Sequence, residues 1–137
     1  MIFGIGVDLV RISRIEAIMA RWQNRFVRRV FTNHEIDTCR QRSSQASAFA
    51  LRFAAKEAFS KALGLGMRKG VKWREIEVFN YRSGKPGLRL YGTSADICHK
   101  KGISNVYLSL SDEGDYVAAM VVLEKSNGSE KGGSTLC

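Results

Sequence analysis

The sequence has few cysteines, a single proline and no long apolar run. Its three cysteines are widely spaced and odd in number, and no C-x-x-C pair occurs, which favours free thiols in a reducing cytoplasm over a disulfide framework. No apolar run approaches the roughly 20 residues that cross a bilayer. Residues 1–8 also lack the basic flank and cleavage pattern of a signal peptide. We therefore expect a cytoplasmic protein without a membrane partner.

The composition is that of one soluble globular domain. The chain has 137 residues, of which 45% are hydrophobic and 26% charged, and it contains no internal repeat or linker. From Lys125 onward the composition turns to Ser, Gly, Lys and Glu. We therefore predict one domain over residues 1–125 and a frayed tail over 126–137.

Positive charge predominates. The net charge of +9 favours an anionic partner: nucleic acid, a membrane face, an acidic protein or a phosphorylated ligand. Apolar residues at helical spacing predict an amphipathic helix over about 12–23, with a basic ridge that continues beyond it. The ridge consists of Arg11, Arg14, Arg21, Arg25, Arg28 and Arg29, opposed by Glu16. We favour a docking surface for an acidic partner over a merely solvated face.

The first candidate site residue is Asp8. Residues 2–10 predict a buried strand, with Ile5, Val7 and Leu9 on one face and Gly4, Gly6 and Asp8 on the other. Two glycines indicate that another element packs closely on the face that carries Asp8. Two interpretations of this carboxylate are open: it caps the next helix, or it is a ligand in a metal or phosphate site.

A central helix is predicted to end at Gly64, which suits a left-handed cap. It contains residues 52–63, begins near 45–48, and carries a buried apolar stripe. Lys56, Glu57 and Lys61 are expected on its surface. Because Glu57 and Lys61 are four residues apart, spacing alone predicts an exposed ion pair.

The remaining elements complete an α+β fold. Thr32 to Glu35 has the form of a capping box that opens a short helix to about Arg42. Further elements are strands at 73–81 and 88–91 around a turn at 82–87, a helix at 95–101 capped by Thr93 or Ser94, and strands at 105–111 and 116–124. The predicted order is β-α-α-α-β-β-α-β-β, a single domain with a mainly antiparallel sheet packed with a long central helix.

Several of these segments match one known family in order and spacing. They are Gly4-Ile5-Gly6-Val7-Asp8, the run from Arg52 to Gly64, Gly84-Lys85-Pro86, and Ser109-Leu110-Ser111 followed by Tyr116-Val117-Ala118-Ala119. From Met1 to about Glu124 the chain closely resembles the holo-acyl-carrier-protein synthases, the small bacterial 4′-phosphopantetheinyl transferases. Phe53-Ala54-Ala55-Lys56-Glu57-Ala58 with Lys61 is the most specific part of the match.

The resemblance implies an activity, a cofactor and partners. Coenzyme A would donate its phosphopantetheine arm to a serine of apo acyl carrier protein, leaving adenosine 3′,5′-bisphosphate, in support of fatty acid biosynthesis. The cofactor would be Mg²⁺, and the enzyme a homotrimer with active sites at subunit boundaries. An acidic carrier protein also accounts for the positive charge without nucleic acid.

The resemblance also implies residue roles. Asp8 and Glu57 match the magnesium-binding carboxylates, and Lys61 the phosphate-binding lysine; these three are the expected catalytic residues. Glu57 is the first candidate for the general base by analogy with the family, with a metal-bound water as the alternative. The residues matched to coenzyme A binding are Arg52, Lys61, Gly84, Lys85, Pro86 and Ser111. Those matched to carrier-protein docking are Arg14, Arg21 and Arg25.

One position departs from the family pattern. Asp112 stands where the family usually has histidine, and we expect it either to turn outward in the hairpin or to face the site as a further substrate-site residue. Two rival interpretations remain: a basic nucleic-acid-binding module, which leaves Asp8 and Glu57 unexplained, and a catalytically silent coenzyme A binder.

Overall fold

The protein is built around one buried helix, α4 (Gln45–Leu63), in a computed structural model that describes residues 1–126. Gly64 ends α4 in the left-handed conformation with φ of 81°, as predicted. The element order is β1 (Ile2–Arg11), α1 (Ile12–Trp22), α2 (Asn24–Val30), α3 (Asn33–Arg40), α4, β2 (Ile76–Asn80), β3 (Pro86–Leu90), α5 (Gly92–Lys100), β4 (Ile103–Glu113) and β5 (Tyr116–Lys125).

Two antiparallel sheets confirm the predicted α+β class. Strands β1, β5 and β4 form one sheet in that order, and β2 and β3 form a separate hairpin. Helix α4 packs on one face of the three-stranded sheet, where its apolar side chains meet those of β1 and β5. None of the helices within residues 1–126 is long and apolar enough to span a membrane. The expected tail lies outside the described residues, apart from Ser126.

The close packing predicted from two glycines is confirmed. A Cβ atom at Gly4 would lie 2.0 Å from the carbonyl oxygen of Ala62, and one at Gly6 would lie 1.8 Å from that of Ala58. Backbone therefore rests on backbone where β1 crosses α4. This contact brings Asp8, two residues after Gly6 on the same face, to the α4 surface.

Three local predictions are wrong. Four helices, not three, precede β2, because Gln23 adopts φ of 49° and separates α1 from α2, so that Arg25 lies on α2. The predicted strand at 73–81 starts only at Ile76, after a 3₁₀ turn over Trp73–Glu75. Neither Thr93 nor Ser94 caps α5, whose first N–H groups donate instead to the Glu75 carboxylate.

The outer face of the three-stranded sheet is uncovered and apolar. Side chains that are 42% to 64% exposed cluster there: Ile5, Val7, Leu9, Tyr107, Tyr116 and Met120. The strand register places them on the side opposite α4, because Val7 pairs with Met120 and Leu9 with Ala118. The prediction that β1 is buried is therefore wrong for this half of the strand in the isolated chain.

Candidate active site

Asp8 and Lys61 form an ion pair across the contact between β1 and α4. The Lys61 Nζ atom lies 2.8 Å from Asp8 Oδ1 and donates a second hydrogen bond, of 3.1 Å, to the Val7 carbonyl oxygen. The capping interpretation of Asp8 is wrong, since Asp115, not Asp8, accepts from the backbone N–H of Ser13 at the start of α1. Asp8 therefore has no capping role at α1, and its carboxylate lies against the surface of α4.

Glu57 belongs to the same cluster. Partial burial raises the pKa of Glu57, and the negative charge of Asp8 raises it further, whereas the charges of Lys61 and Arg14 lower it. The two carboxylates are therefore close enough to repel each other. Within residues 1–126, Lys61 has its ion pair with Asp8, so the predicted Glu57–Lys61 pair is not formed.

This donor set fits a hard divalent cation that keeps part of its water shell. Within the described residues no cluster of three or more His, Cys, Asp or Glu side chains could enclose a metal. Mg²⁺ typically takes one or two carboxylates together with waters and substrate phosphates, so two side chains are enough. A cation between Asp8 and Glu57 would also relieve the repulsion that raises the Glu57 pKa.

Arg52, also on α4, lies beside a separate cleft. Its side chain is buried, its Nη1 donates to the Ala48 carbonyl oxygen at 3.1 Å, and its Nε has no hydrogen-bond partner in the described part of the chain. Beside it lies a cleft of about 260 Å³. Its polar lining comprises Arg42, Ser43, Ser44, Ser47, Arg52 and Asn80. An unpartnered guanidinium N–H and several hydroxyls suit a phosphate.

This cleft was not among the features predicted from the sequence. Its signal is weak because serines beside a helix start are common caps. The turn at Gly84-Lys85-Pro86 adjoins the cleft through Asn80, whose Nδ2 donates to the Gly84 carbonyl oxygen at 3.0 Å. Gly84 has φ of 94°, which favours glycine there.

Ser111 and Asp112 lie on opposite faces of the sheet. Asp112 pairs with Val117, which pairs with Val10, so Asp112 is on the α4 side that also carries Asp8. Strand β4 continues to Glu113, and Asp112 is therefore a strand residue, not part of the turn. Ser111 pairs with Ala118 on the uncovered outer face.

The basic ridge borders an apolar groove. Arg14 on α1 faces the site closely enough to lower the Glu57 pKa, and Arg21 stacks over the Trp22 ring with its Cζ 5.1 Å from the centroid. The groove has a volume of about 670 Å³. Its lining residues are Ile18, Trp22, Arg25, Phe26, Arg29 and Phe53. Apolar rings flanked by arginines suit an acidic, amphipathic partner.

Lys56 is fully buried, contrary to the surface position predicted for it. Its ammonium donates to Glu35 Oε1 at 2.7 Å, to the Trp73 carbonyl oxygen at 3.0 Å and to the Ile76 carbonyl oxygen. Burial lowers the pKa of Lys56, and Glu35 opposes this effect. Glu35, expected only to close the predicted capping box, does so and also accepts from the Val78 N–H at 2.8 Å. The pair thus ties α3 and β2 to the helix that carries Glu57 and Lys61.

Comparison with known proteins identifies the class that this fold and site define. The family model described as the 4′-phosphopantetheinyl transferase superfamily matches residues 4–121. The chain therefore belongs to that superfamily, as its motifs indicated.

The named relatives narrow the assignment to one family. The chain is 46% identical over 125 residues to a holo-(acyl-carrier-protein) synthase of Geobacter metallireducens, covering 91% of this chain and 99% of that protein. Among solved structures, the Neisseria meningitidis holo-(acyl-carrier-protein) synthase superposes with a TM-score of 0.87 at 40% identity, covering 91% of this chain and all of that one. The Bacillus anthracis enzyme, solved with coenzyme A (3′,5′-ADP), superposes with a TM-score of 0.77 at 36% identity, covering 92% and 99%. The chain is an enzyme of the holo-(acyl-carrier-protein) synthase family.

Proposed function

We propose that this protein transfers the 4′-phosphopantetheine arm of coenzyme A to a serine hydroxyl of apo acyl carrier protein. The products are holo carrier protein and adenosine 3′,5′-bisphosphate, and the reaction serves fatty acid biosynthesis in the cytoplasm. The observation that carries the proposal is the cluster of Asp8, Glu57 and Lys61 in a chain of this family. The family match favours this transfer over the nucleic-acid-binding module.

Two carboxylates and one lysine supply what the reaction needs. Asp8 and Glu57 would hold Mg²⁺, which when bound neutralises charge on the pyrophosphate of coenzyme A. Lys61 contributes an ammonium on a side chain that is 52% exposed, and this group would exchange Asp8 for a phosphate oxygen. The Lys61 ammonium would stabilise a transition state in which negative charge spreads over the phosphoryl oxygens.

Glu57 is our proposed general base. The serine Oγ attacks the β-phosphorus, the bond from that phosphorus to the bridging oxygen breaks, and adenosine 3′,5′-bisphosphate leaves with the electron pair. The serine proton passes to Glu57. Partial burial raises the pKa of Glu57, and a carboxylate with a raised pKa accepts a proton more readily than an exposed one.

Coenzyme A would extend from the carboxylates toward Arg52. Leu110 lines the Arg52 cleft. Leu110 and Asp8 both pair with Ala119 of the central strand, so they lie in one row across the sheet. Two strand spacings separate them, about 10 Å. We assign the cleft and the Gly84-Lys85-Pro86 turn to the nucleotide phosphates.

The acidic carrier protein would bind along α1 and α2. Arg14, Arg21 and Arg25 supply positive charge, and Trp22 and Phe26 line an apolar groove between them. Arg14 lies on α1, close enough to Glu57 to lower its pKa. A carrier protein bound along α1 and α2 would therefore present its acceptor serine near Glu57.

We propose that copies of the chain associate, as a homotrimer, through the uncovered sheet face. A contiguous apolar face containing Ile5, Val7 and Leu9 is unusual on a protein that stays monomeric. Covering it would bring Ser111, which lies on that face, to a boundary between copies. Sedimentation should give the mass of three chains, and Val7→Lys should yield monomers.

One assay tests the activity. The protein is incubated with coenzyme A, Mg²⁺ and apo carrier protein, and the carrier is weighed by mass spectrometry. We expect an added phosphopantetheine mass, lost in Glu57→Gln and Asp8→Asn but retained in the control Asp96→Asn. If coenzyme A binds to the wild type but no mass is added, the chain is the catalytically silent binder.

A further inference from the structure

A second basic cleft lies beside α2. It has a volume of about 490 Å³ and is lined by Arg28, Asn33, Ile36, Asp37, Arg40 and Arg74. Three guanidinium groups face one carboxylate there. None of these four charged groups is in an ion pair of 4 Å or less within residues 1–126. The cleft therefore has a net positive charge that the described chain leaves without a close partner.

Two of the arginines are held in place. Arg74 donates through Nε to the Phe31 carbonyl oxygen at 3.0 Å and through Nη2 to Asn33 Oδ1 at 3.1 Å. Arg40 donates through Nη2 to Asn24 Oδ1 at 3.2 Å. Only one or two N–H groups of each arginine are used in these bonds, and the remaining ones can meet an anion. A pre-positioned arginine loses little conformational entropy on binding.

The cleft and the groove adjoin along α2. Successive residues of an α-helix are about 100° apart, so Arg28, Arg25 and Arg29 cover one arc of about 100°. Arg25 and Arg29 line the apolar groove, whereas Arg28 lines the basic cleft. All three are exposed. A partner that covers both the groove and this arc of α2 would therefore reach the cleft.

From this adjacency and charge we infer that the cleft of Arg28, Arg40 and Arg74 is a second contact for the acidic carrier protein and receives carboxylates on the surface of that protein. The inference rests on the proposed function, and extends the docking surface beyond Arg14, Arg21 and Arg25 to α3 and the 3₁₀ turn. Asp37 lies in the same cleft, and its carboxylate would repel an acidic partner. Removing that charge should therefore change the affinity in the opposite direction to removing an arginine.

Binding and turnover are measured together. Affinity is determined by calorimetry with an apo carrier protein whose acceptor serine is changed to alanine, and KM and kcat with the unchanged carrier. Arg28→Glu and Arg40→Glu should each weaken binding about threefold to tenfold and raise the carrier KM equally, with kcat and the coenzyme A KM unchanged. Asp37→Asn should strengthen binding. The effects should shrink between 50 mM and 200 mM salt, by roughly the screening expected for exposed charges.

Lys100→Glu is the matched control, because it makes the same charge change on exposed α5 and should leave both constants near wild type. Equal weakening in Lys100→Glu, or no change in Arg28→Glu and Arg40→Glu, overturns the proposal. So does weaker binding in Asp37→Asn. Absence of turnover in the wild type, with these affinity shifts intact, contradicts the proposed function and leaves the contact standing.

Discussion

Lys61 on α4 forms its ion pair with Asp8 on β1, at 2.8 Å, and not with Glu57 one turn away on its own helix. The lysine thus occupies one of the two carboxylates that a cation would use. The Asp8 side chain is 14% exposed, whereas that of Lys61 is 52% exposed. The pair can open by movement of the lysine alone.

Lys61→Met should therefore bind Mg²⁺ more tightly in the absence of coenzyme A. Removing the ammonium frees Asp8 and removes a positive charge, and we expect a gain of about fivefold in affinity. Calorimetric titration with Mg²⁺ measures it, with Lys100→Met as the control for net charge. Phosphopantetheine transfer should nevertheless fall, since the phosphate loses its lysine. Equal or weaker Mg²⁺ binding would show that Lys61 does not compete for this site.

The pKa of Glu57 should fall in Asp8→Asn. Burial and the Asp8 charge both raise this pKa, and the substitution removes the second cause. Because the folded state holds the Glu57 proton more tightly than the unfolded chain, the contribution of this group to the unfolding free energy declines as pH rises above the ordinary carboxyl range. Carboxyl NMR titration of the Mg²⁺-free protein gives the pKa. Asp96→Asn, a distant change of the same charge, should leave it where it is.

The buried ion pair of Lys56 and Glu35 should show strong coupling in a double-mutant cycle of unfolding free energies. Lys56→Met leaves the Glu35 charge buried without its cation, at a cost of about 3–5 kcal/mol. Lys56→Met combined with Glu35→Gln should recover much of that loss, because neither charge remains. Urea unfolding of the two single variants and the double variant measures the coupling. Additive losses would mean that the two side chains stabilise the fold independently.

Gly6→Ala should destabilise the protein and displace Asp8. The added Cβ meets the Ala58 carbonyl oxygen at 1.8 Å, and backbone cannot yield as a side chain would. We expect a loss of at least about 3 kcal/mol, toward the upper end for overpacking. Gly64→Ala has open space at Cβ and only an unfavourable φ, so about 1–2 kcal/mol is expected. Thermal unfolding distinguishes the two, and a smaller loss at Gly6 would argue against the close β1–α4 contact.

Asp112→His should preserve or raise turnover. Asp112 lies on the α4 side of the sheet, where a carboxylate repels the phosphates of coenzyme A and an imidazole can donate to them. The expected change is a lower KM for coenzyme A. Glu113→Gln, on the opposite face, should leave that KM unaffected. A large loss of turnover in Asp112→His would show that the carboxylate has a role of its own.

Local sequence signals predicted the features that depend on short-range geometry. The Thr32–Glu35 capping box, the Gly64 cap and the alternation along β1 follow from backbone preferences within a few residues, and all three are confirmed. The glycines at 4 and 6 also predicted a close approach, because only that arrangement explains missing side chains on a strand face. The family motif indicated candidate site residues, with no information on their contacts.

Long-range partners were decided only by the tertiary structure. Spacing predicted Glu57 as the partner of Lys61 because helical neighbours are visible in sequence, whereas Asp8 is 53 residues away. Lys56 looked like a surface residue, since nothing local reveals that Glu35 would meet it in the interior. The pairing of β1 with β5 and the packing of α4 against both bring these side chains together. Because an unpaired buried charge is costly, Lys56 and Glu35 pair with each other in the interior. The sequence thus determined a long helix carrying Glu57 and Lys61, and the fold determined that Asp8 is the carboxylate Lys61 holds.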